Sequence, residues 1–323
     1  QRGKRMENIM VSIACITYNH ENYIEDAIKG FLMQKTRFPI EIIIHDDAST
    51  DRTAEIIKSY EKKYPDLIKP IYQLENQYSK GVKISANNVW PKCKGKYIAL
   101  CEGDDYWTDP YKLQKQVDFM ENNQDCTLCF HNAEIVNFDK TSMNKLQIPN
   151  SKWSKKYYYG RNYKYNAGEL ELLEFIPTAS FLFPRSLVLY LPEFYFNAIF
   201  GDASLKLYLA SKGYAYYMDE IMSAYRTNVK GSTMYIQRKS GEKRIRGHMN
   251  YIDTLYGFDK YTEGIYLKEI EESILKRKIK ILMLENNLRE LKQDKYKEHY
   301  RTLRFVTKIK IHYRFYLEKI KKN

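Results

Sequence analysis

The sequence predicts an α/β fold in which a mainly parallel sheet is flanked by helices, with a helical extension at the C-terminus. Three observations carry this. Apolar runs of strand length alternate with amphipathic runs of helix length; the apolar runs end abruptly in polar or acidic clusters; and from about Glu263 the apolar spacing changes to threes and fours. Alternation of this kind favours parallel strands with right-handed connections, and ligands then sit at the carboxyl ends of the strands.

In chain order, Met10 to Ile16 is the first strand and ends in Thr17-Tyr18-Asn19-His20. Tyr23 to Met33 follows with helical spacing. Ile40 to His45 is the second strand, with three consecutive isoleucines at its centre, and it runs into Asp46-Asp47-Ala48-Ser49-Thr50-Asp51. The polar end of that cluster is suited to cap a helix over Thr53 to Tyr64. Tyr97 to Cys101 is another strand, ending in Glu102-Gly103-Asp104-Asp105-Tyr106-Trp107. All three polar clusters fall on one edge of the predicted sheet. Paired carboxylates at a strand tip are hard oxygen ligands suited to Mg²⁺ or Mn²⁺, which commonly bind through one or two carboxylates together with phosphate oxygens. A solvated acidic turn is the simpler alternative for either pair taken alone.

Asn137 to Gly168 reads as a long loop rich in Lys, Asn, Ser and Tyr, containing Trp153 and Tyr157-Tyr158-Tyr159, of a length that often serves as a lid over a site. Ile176 to Phe183 reads as a strand returning to the cleft, carrying the polar Thr178 and Ser180, and Ala203 to Lys212 reads as a helix. The tail carries Ile274, Ile281, Leu284, Leu288 and Leu291 at helical spacing, one long amphipathic helix or two, with Arg277 interrupting a coiled-coil pattern. Residues 301–323 hold eight Lys or Arg against one acidic residue, interleaved with aromatics and aliphatics, which is a membrane-surface pattern.

Composition narrows the function. The 323 residues carry 53 Lys and Arg against 40 Asp and Glu, a net charge of +13. The excess concentrates in the tail and accompanies no recognised nucleic-acid-binding motif, so nucleic acid is not expected as a partner. The five cysteines are an odd count, and Cys15 and Cys101 fall in predicted strands, which argues against a disulfide framework. Cys126 and Cys129 lack a second pair to complete a zinc site. His131 reads either as a cleft residue or as a structural one. No run is apolar for long enough to span a bilayer and no signal peptide opens the chain, so a cytoplasmic enzyme peripheral to the inner membrane face is expected. Residues 1–5, ahead of Met6, are read as a leader and set aside.

Several separated motifs together resemble glycosyltransferase family 2, the inverting sugar-nucleotide-dependent transferases of GT-A (Rossmann-like) fold. They are Val11 to Asn19, the Asp46 to Asp51 run, Asn88, Gly95 to Ile98, Asp104-Asp105, Phe200-Gly201-Asp202, and Tyr225-Arg226 with Gly231-Ser232. The resemblance implies a catalytic domain over 6–235 and a helical, basic extension over 236–323. It implies a hexosyltransferase-type enzyme that moves a sugar from a UDP-sugar to a glycan or lipid-linked acceptor in bacterial surface-polysaccharide (capsule) synthesis, with Mn²⁺ or Mg²⁺ as cofactor. Carried over by position, Thr17, Tyr18, Asn19, Asp46, Asp47, Asn88 and Asp104 would bind the donor nucleotide, Asp47 through the uracil imide. Asp105 would ligate the metal, Asp202 would be the catalytic base, and Trp107, Thr178, Ser180 and Arg226 are candidate acceptor or phosphate contacts. Departures from the pattern are Ala48 in place of a common Gly, Asn87 in place of Arg, and Asn228 in place of His. The alternatives are a nucleotidyltransferase and a non-catalytic sugar-nucleotide-binding protein. A nucleotidyltransferase would ordinarily place a glycine-rich basic loop after the first strand, where this chain has neither Gly nor Lys. Oligomerisation through the C-terminal helices is the remaining expectation.

Overall fold

The computed structural model describes residues 8–232, 235, 240–302, 308, 309, 312, 313 and 315. The backbone divides into two compact units, one ending at Val229 and one beginning at Lys230. Most of the basic 301–323 segment, and the leader ahead of Met6, lie outside the described residues.

The first unit is built on a single sheet. Its strands are β1 (Val11–Thr17), β2 (Ile40–Asp46), β3 (Ile68–Tyr72), β4 (Tyr97–Leu100), β5 (Tyr106–Trp107), β6 (Cys126–Val136), β7 (Ser142–Leu146), β8 (Tyr163–Tyr165), β9 (Leu182–Pro184) and β10 (Tyr214–Arg226). Across the sheet the order is β3-β2-β1-β4-β9-β6-β10-β5, with β7 beside β6 and β8 beside β10. β1 pairs in parallel with β2 and β4, and β2 with β3. β9 is antiparallel to both β4 and β6, so β6 and its parallel partner β10 point the same way as the first four strands. The carboxyl ends of β1, β2, β4 and β10 therefore share one edge.

The helices show why the sheet is buried on both faces. In α1 (Ile24–Leu32), Ile24, Ala27, Ile28 and Phe31 recur at three and four residues and all four are buried. α2 (Thr53–Lys63) and α3 (Lys112–Glu121) present Thr53 and Ile57, and Leu113, Val117 and Met120, in the same way. With both faces covered, β2 tolerates the continuous run Ile42-Ile43-Ile44 instead of alternating with polar residues. α4 (Ala167–Leu172), α5 (Glu193–Asn197) and α6 (Gly201–Ser211) follow, and α6 begins immediately before Asp202.

Several expectations are corrected. The long loop is broken by β7, a 3₁₀ turn at Ser154–Lys156 and β8. Tyr163–Tyr165 pair with Ala215–Tyr217 at the start of β10, and Tyr159 stacks on Tyr163. Arg226 lies nine positions after Tyr217 on that strand, a rise of up to about 30 Å. The Tyr cluster thus belongs to the opposite half of the strand from the acidic edge. The Trp153 end of the segment instead meets the approach to Thr178, with Asn150 Nδ2 donating to Phe175 O. The predicted strand over 176–183 is a 3₁₀ turn, Thr178–Ser180, leading into the short β9. All five cysteines are free and buried, and burial raises each thiol's pKa. His131 is buried in β6 with Nδ1 at 2.7 Å from Asn132 O, a structural residue held neutral by desolvation. Ala48 adopts φ of 61°, so its turn does require the left-handed region in which glycine is at ease.

The second unit is helical: α7 (Gly241–Tyr261), α8 (Leu267–Leu284), α9 (Leu288–Leu291) and α10 (Asp294–Thr302). Ser240 caps α7 by accepting from Lys243 N. The turn between α7 and α8 contains Gly264 at φ of 78°, and Phe258 stacks on Tyr266 across it. The predicted amphipathic stretch is broken after Leu284. Ile279, Leu282, Leu288, Leu291 and Tyr296 close into one small core. Arg277 does not break the packing, because its guanidinium lies over the Tyr251 ring at 3.2 Å.

Candidate active site

The ends of β1 and β2 are laced together by side chains that answer backbone groups. Asn19 takes φ of 53°, accepts from Thr50 N through Oδ1 at 2.8 Å, and donates its own N–H to Ser49 Oγ at 2.9 Å. His20 N donates to Thr53 Oγ1 and Glu21 N to Asp51 Oδ2. Asp46 is buried and accepts from Ser49. Thr17 and Asp46 therefore build the edge from inside, and Tyr18 and Asn19 are what it exposes.

Asp47, expected to meet the base, is turned inward. It is 1% exposed, and its two oxygens accept the backbone N–H groups of Gln77 at 2.8 Å and Tyr78 at 3.0 Å. Two converging backbone donors are a strong attraction for a carboxylate. As it stands, Asp47 holds the loop after β3.

The tip after β4 divides its labour similarly. Gly103 N donates to Ile16 O, and a Cβ on Gly103 would lie 2.5 Å from Thr17 Oγ1 and 2.7 Å from Thr17 Cβ, so only glycine lets the tip lie this close to β1. Asp105, expected to hold the metal, is 4% exposed and accepts the Arg226 N–H at 2.7 Å. Asp104 and Glu102 are the carboxylates that remain partly exposed. Desolvation, with Asp104 beside it, pushes Glu102 up to about 8, while Thr178 opposes this through a side-chain hydrogen bond. Burial and the same acidic neighbours raise Asp105. Three carboxyls in four positions thus repel one another. A divalent cation would relieve that repulsion, and the partly exposed Asp104 and Glu102 are the carboxylates that could hold it.

Arg226 is likewise displaced from its expected role as a phosphate contact. Its side chain is 0% exposed and is sandwiched between the Tyr23 and Tyr106 rings, with centroids 4.8 and 5.0 Å away. It donates to Asp104 O and pairs with Asp26 at 2.8 Å. The arginine therefore clamps the acidic tip from behind. Trp107 and Ser180 are also core residues. Trp107 donates from Nε1 to Ala179 O, and Ser180 Oγ donates to Pro177 O. Asn228 donates to Asn137 Oδ1.

Beside the tip lies a cavity of about 90 Å³ lined by Glu102, Thr178, Ser85, Trp90, Tyr195 and Asp202, among others. Asp202 sits in the first turn of α6, two residues past the Phe200 cap position. Desolvation raises its pKa, opposed by the Ala203 N–H and by Lys206 and Lys83. Lys206 is buried one turn further along α6, paired with Glu171 at 3.2 Å and donating to Glu174 O. Lys83 donates to Ala198 O and lies over the Tyr195 ring. A distorted turn at Ser85–Val89 carries Asn88, whose buried Oδ1 has no partner among the described residues. Sequence reasoning passed over Glu102, Lys83 and Lys206. Glu102 was legible as a third carboxyl at a strand tip and Lys206 as the i+4 neighbour of Asp202 on a predicted helix, whereas Lys83 reaches Asp202 only through tertiary packing.

The topology and this edge define the class: an α/β protein of GT-A fold, with its acids on the carboxyl side of a mainly parallel sheet. Residues 12–188 match the model of Glycosyl transferase family 2, and the chain belongs to that family. It is 34% identical over 136 residues to the putative teichuronic acid biosynthesis glycosyltransferase TuaG of Bacillus subtilis, covering 42% of this chain and 51% of that protein. It is 36% identical over 115 residues to the Escherichia coli UDP-Glc:alpha-D-GlcNAc-diphosphoundecaprenol beta-1,3-glucosyltransferase WfaP, covering 36% and 43%. The chain spans about half the length or less of these curated relatives. Among solved structures, S. aureus TarS in complex with UDP-GlcNAc superposes with TM-score 0.53 at 16% identity, over 91% of this chain and 90% of that one. The Pyrobaculum calidifontis mannosyltransferase PcManGT with GDP-Man and Mn²⁺ gives 0.55 at 13%, over 98% and 92%. At these identities the likeness is one of fold.

Proposed function

We propose that the chain is an inverting glycosyltransferase that takes a sugar from a UDP-sugar and gives it to the hydroxyl of a glycan or lipid-linked acceptor in surface-polysaccharide synthesis. The observation that carries this reading is that Asp202 and Glu102, the first carboxyl of the acidic tip, line one cavity. Tyr18 and Asn19 border the nucleotide, and Asn88 offers its unpaired Oδ1 to a donor hydroxyl. Asp104 would hold a divalent cation, Mn²⁺ or Mg²⁺, which when bound would supply positive charge against the departing diphosphate. Asp105 and Arg226 fix the height of that tip. Asp202 accepts the proton of the acceptor hydroxyl as its oxygen attacks the anomeric carbon from the face opposite the leaving group, and this single displacement inverts the configuration. Its raised pKa brings the base nearer to the hydroxyl it serves. The donor in the names of WfaP and of the TarS complex supports UDP, and the Mn²⁺ bound by PcManGT supports the metal.

The test is metal-dependent release of free nucleotide from a panel of nucleotide-sugars. Hydrolysis of one UDP-sugar that is lost in Asp104→Ala and falls about 10²- to 10⁴-fold in Asp202→Asn supports the assignment. Binding without hydrolysis by the wild type, with or without acceptors, would leave a non-catalytic sugar-nucleotide-binding protein. We further propose that the basic, apolar tail rests on the anionic inner membrane face where lipid-linked acceptors lie. Vesicle flotation unchanged by deleting 301–323 rules that out.

A further inference from the structure

The loop that follows β3 has no role in the account above, yet it is fastened to the site with unusual care. Asp47 accepts from Gln77 N and Tyr78 N, Asn76 Nδ2 donates back to Asp47 O at 3.2 Å, and Asn76 Oδ1 accepts from Ser79 N at 2.7 Å. Gly81 then reverses the chain at φ of 77°. What this fastening presents is Tyr78, 64% exposed although its own N–H is bonded to a buried carboxylate. On the other side of Asp47, the Asp47 N–H donates to Thr17 O at 3.0 Å, and the next residue is Tyr18, 42% exposed. One buried residue thus anchors two exposed tyrosines, its backbone holding the first and its side chain the second. Adding those bonds to the length of Asp47 itself, about 4 Å from N to Oδ2, brings Thr17 O and Tyr78 N within roughly 10 Å of each other. Two exposed rings whose anchors are no farther apart than that are within reach of opposite faces of one planar group.

We infer that Tyr78 is the second wall of the nucleobase slot, stacking on the face of the donor's uracil opposite Tyr18, with Asp47 positioning both. This rests on the proposed nucleotide-sugar reading and adds to it the residue that covers the base. It also gives the inward turn of Asp47 a purpose, since the carboxylate holds the wall. A flat base has two faces to desolvate, and stacking is how proteins bind bases without displacing their edge hydrogen bonds.

The experiment is calorimetric titration of the full chain with UDP and, separately, with inorganic diphosphate, both with Mn²⁺. Tyr78→Ala is expected to weaken UDP on the order of 5- to 100-fold and leave diphosphate unchanged. Tyr78→Phe, which keeps the ring, should bind like wild type, and so should Leu74→Ala, an exposed apolar residue on the same loop. Unchanged UDP affinity in Tyr78→Ala overturns the inference while the nucleotide reading stands, as does an equal loss for diphosphate, which would mean loop disorder in place of lost stacking. Absence of wild-type binding to UDP overturns both.

Discussion

Ala48 is the residue whose backbone contradicts its side chain. A left-handed conformation costs a non-glycine residue roughly 1–2 kcal/mol, against about 0.5–1 kcal/mol for the added freedom of glycine in the unfolded chain. Ala48→Gly is therefore expected to stabilise the protein by about 0.5 kcal/mol, seen as a higher urea midpoint at unchanged slope. Lys112 shows a different tension. It is buried, hydrogen-bonded to Gln116 and lying over the Trp107 ring, and desolvation lowers its pKa to about 7. Unfolding restores the ordinary value of about 10.4, so above pH 7 the unfolded state binds the extra proton and stability rises with pH. The buried thiols act with the opposite sign. Their raised values mean that the unfolded chain loses protons first, so stability falls once pH passes about 8.5. The difference in unfolding free energy between wild type and Lys112→Met, in which the other groups cancel, should therefore shift in favour of the wild type as pH rises from 7 toward 8.5.

At the scale of elements, the carboxyl edge was legible because buried strands announce themselves in runs such as Ile42-Ile43-Ile44 and stop at acids. The orientation of those acids was not. Asp104 and Asp105 are equivalent on paper. They separate because β10 arrives 121 residues later and Arg226 N claims only one of them. The same holds for Asp46 and Asp47, which are sorted by Ser49 and the loop at Gln77. Long-range pairing of this kind leaves no periodic trace in a sequence. Arg226→Lys keeps the charge but loses both the planar stack between Tyr23 and Tyr106 and the fork that reaches Asp104 O and Asp26. Stability is expected to fall by about 1–3 kcal/mol by urea titration, with loss of nucleotide release beyond what the unfolded fraction accounts for. On α6, Lys206→Met removes a positive charge that lowers Asp202, so the acidic limb of the activity profile should move to higher pH. The buried Glu171 left behind should cost about 3–5 kcal/mol of stability.

At the scale of the whole molecule, the chain keeps every group of the site within its first unit. Alternating strands and helices predicted the α/β character of that unit, and the helical periodicity after Glu263 predicted α8 but not the 21-residue α7 ahead of it. The strand predicted over Ile176 to Phe183 shrinks to the three-residue β9 at its end, because three residues cannot display a period and only its neighbours make it a strand. Yet β9 lies between β4 and β6, although the chain reaches it after both. During synthesis, β4 therefore presents an unpaired edge for about 80 residues, from Leu100 to Leu182. At ~5–20 residues per second, that is on the order of 4 to 16 seconds. Open edges recruit other strands. For this protein the interval between ribosome and finished sheet is a window of vulnerability to misassembly, and the strand that closes it is also among the shortest.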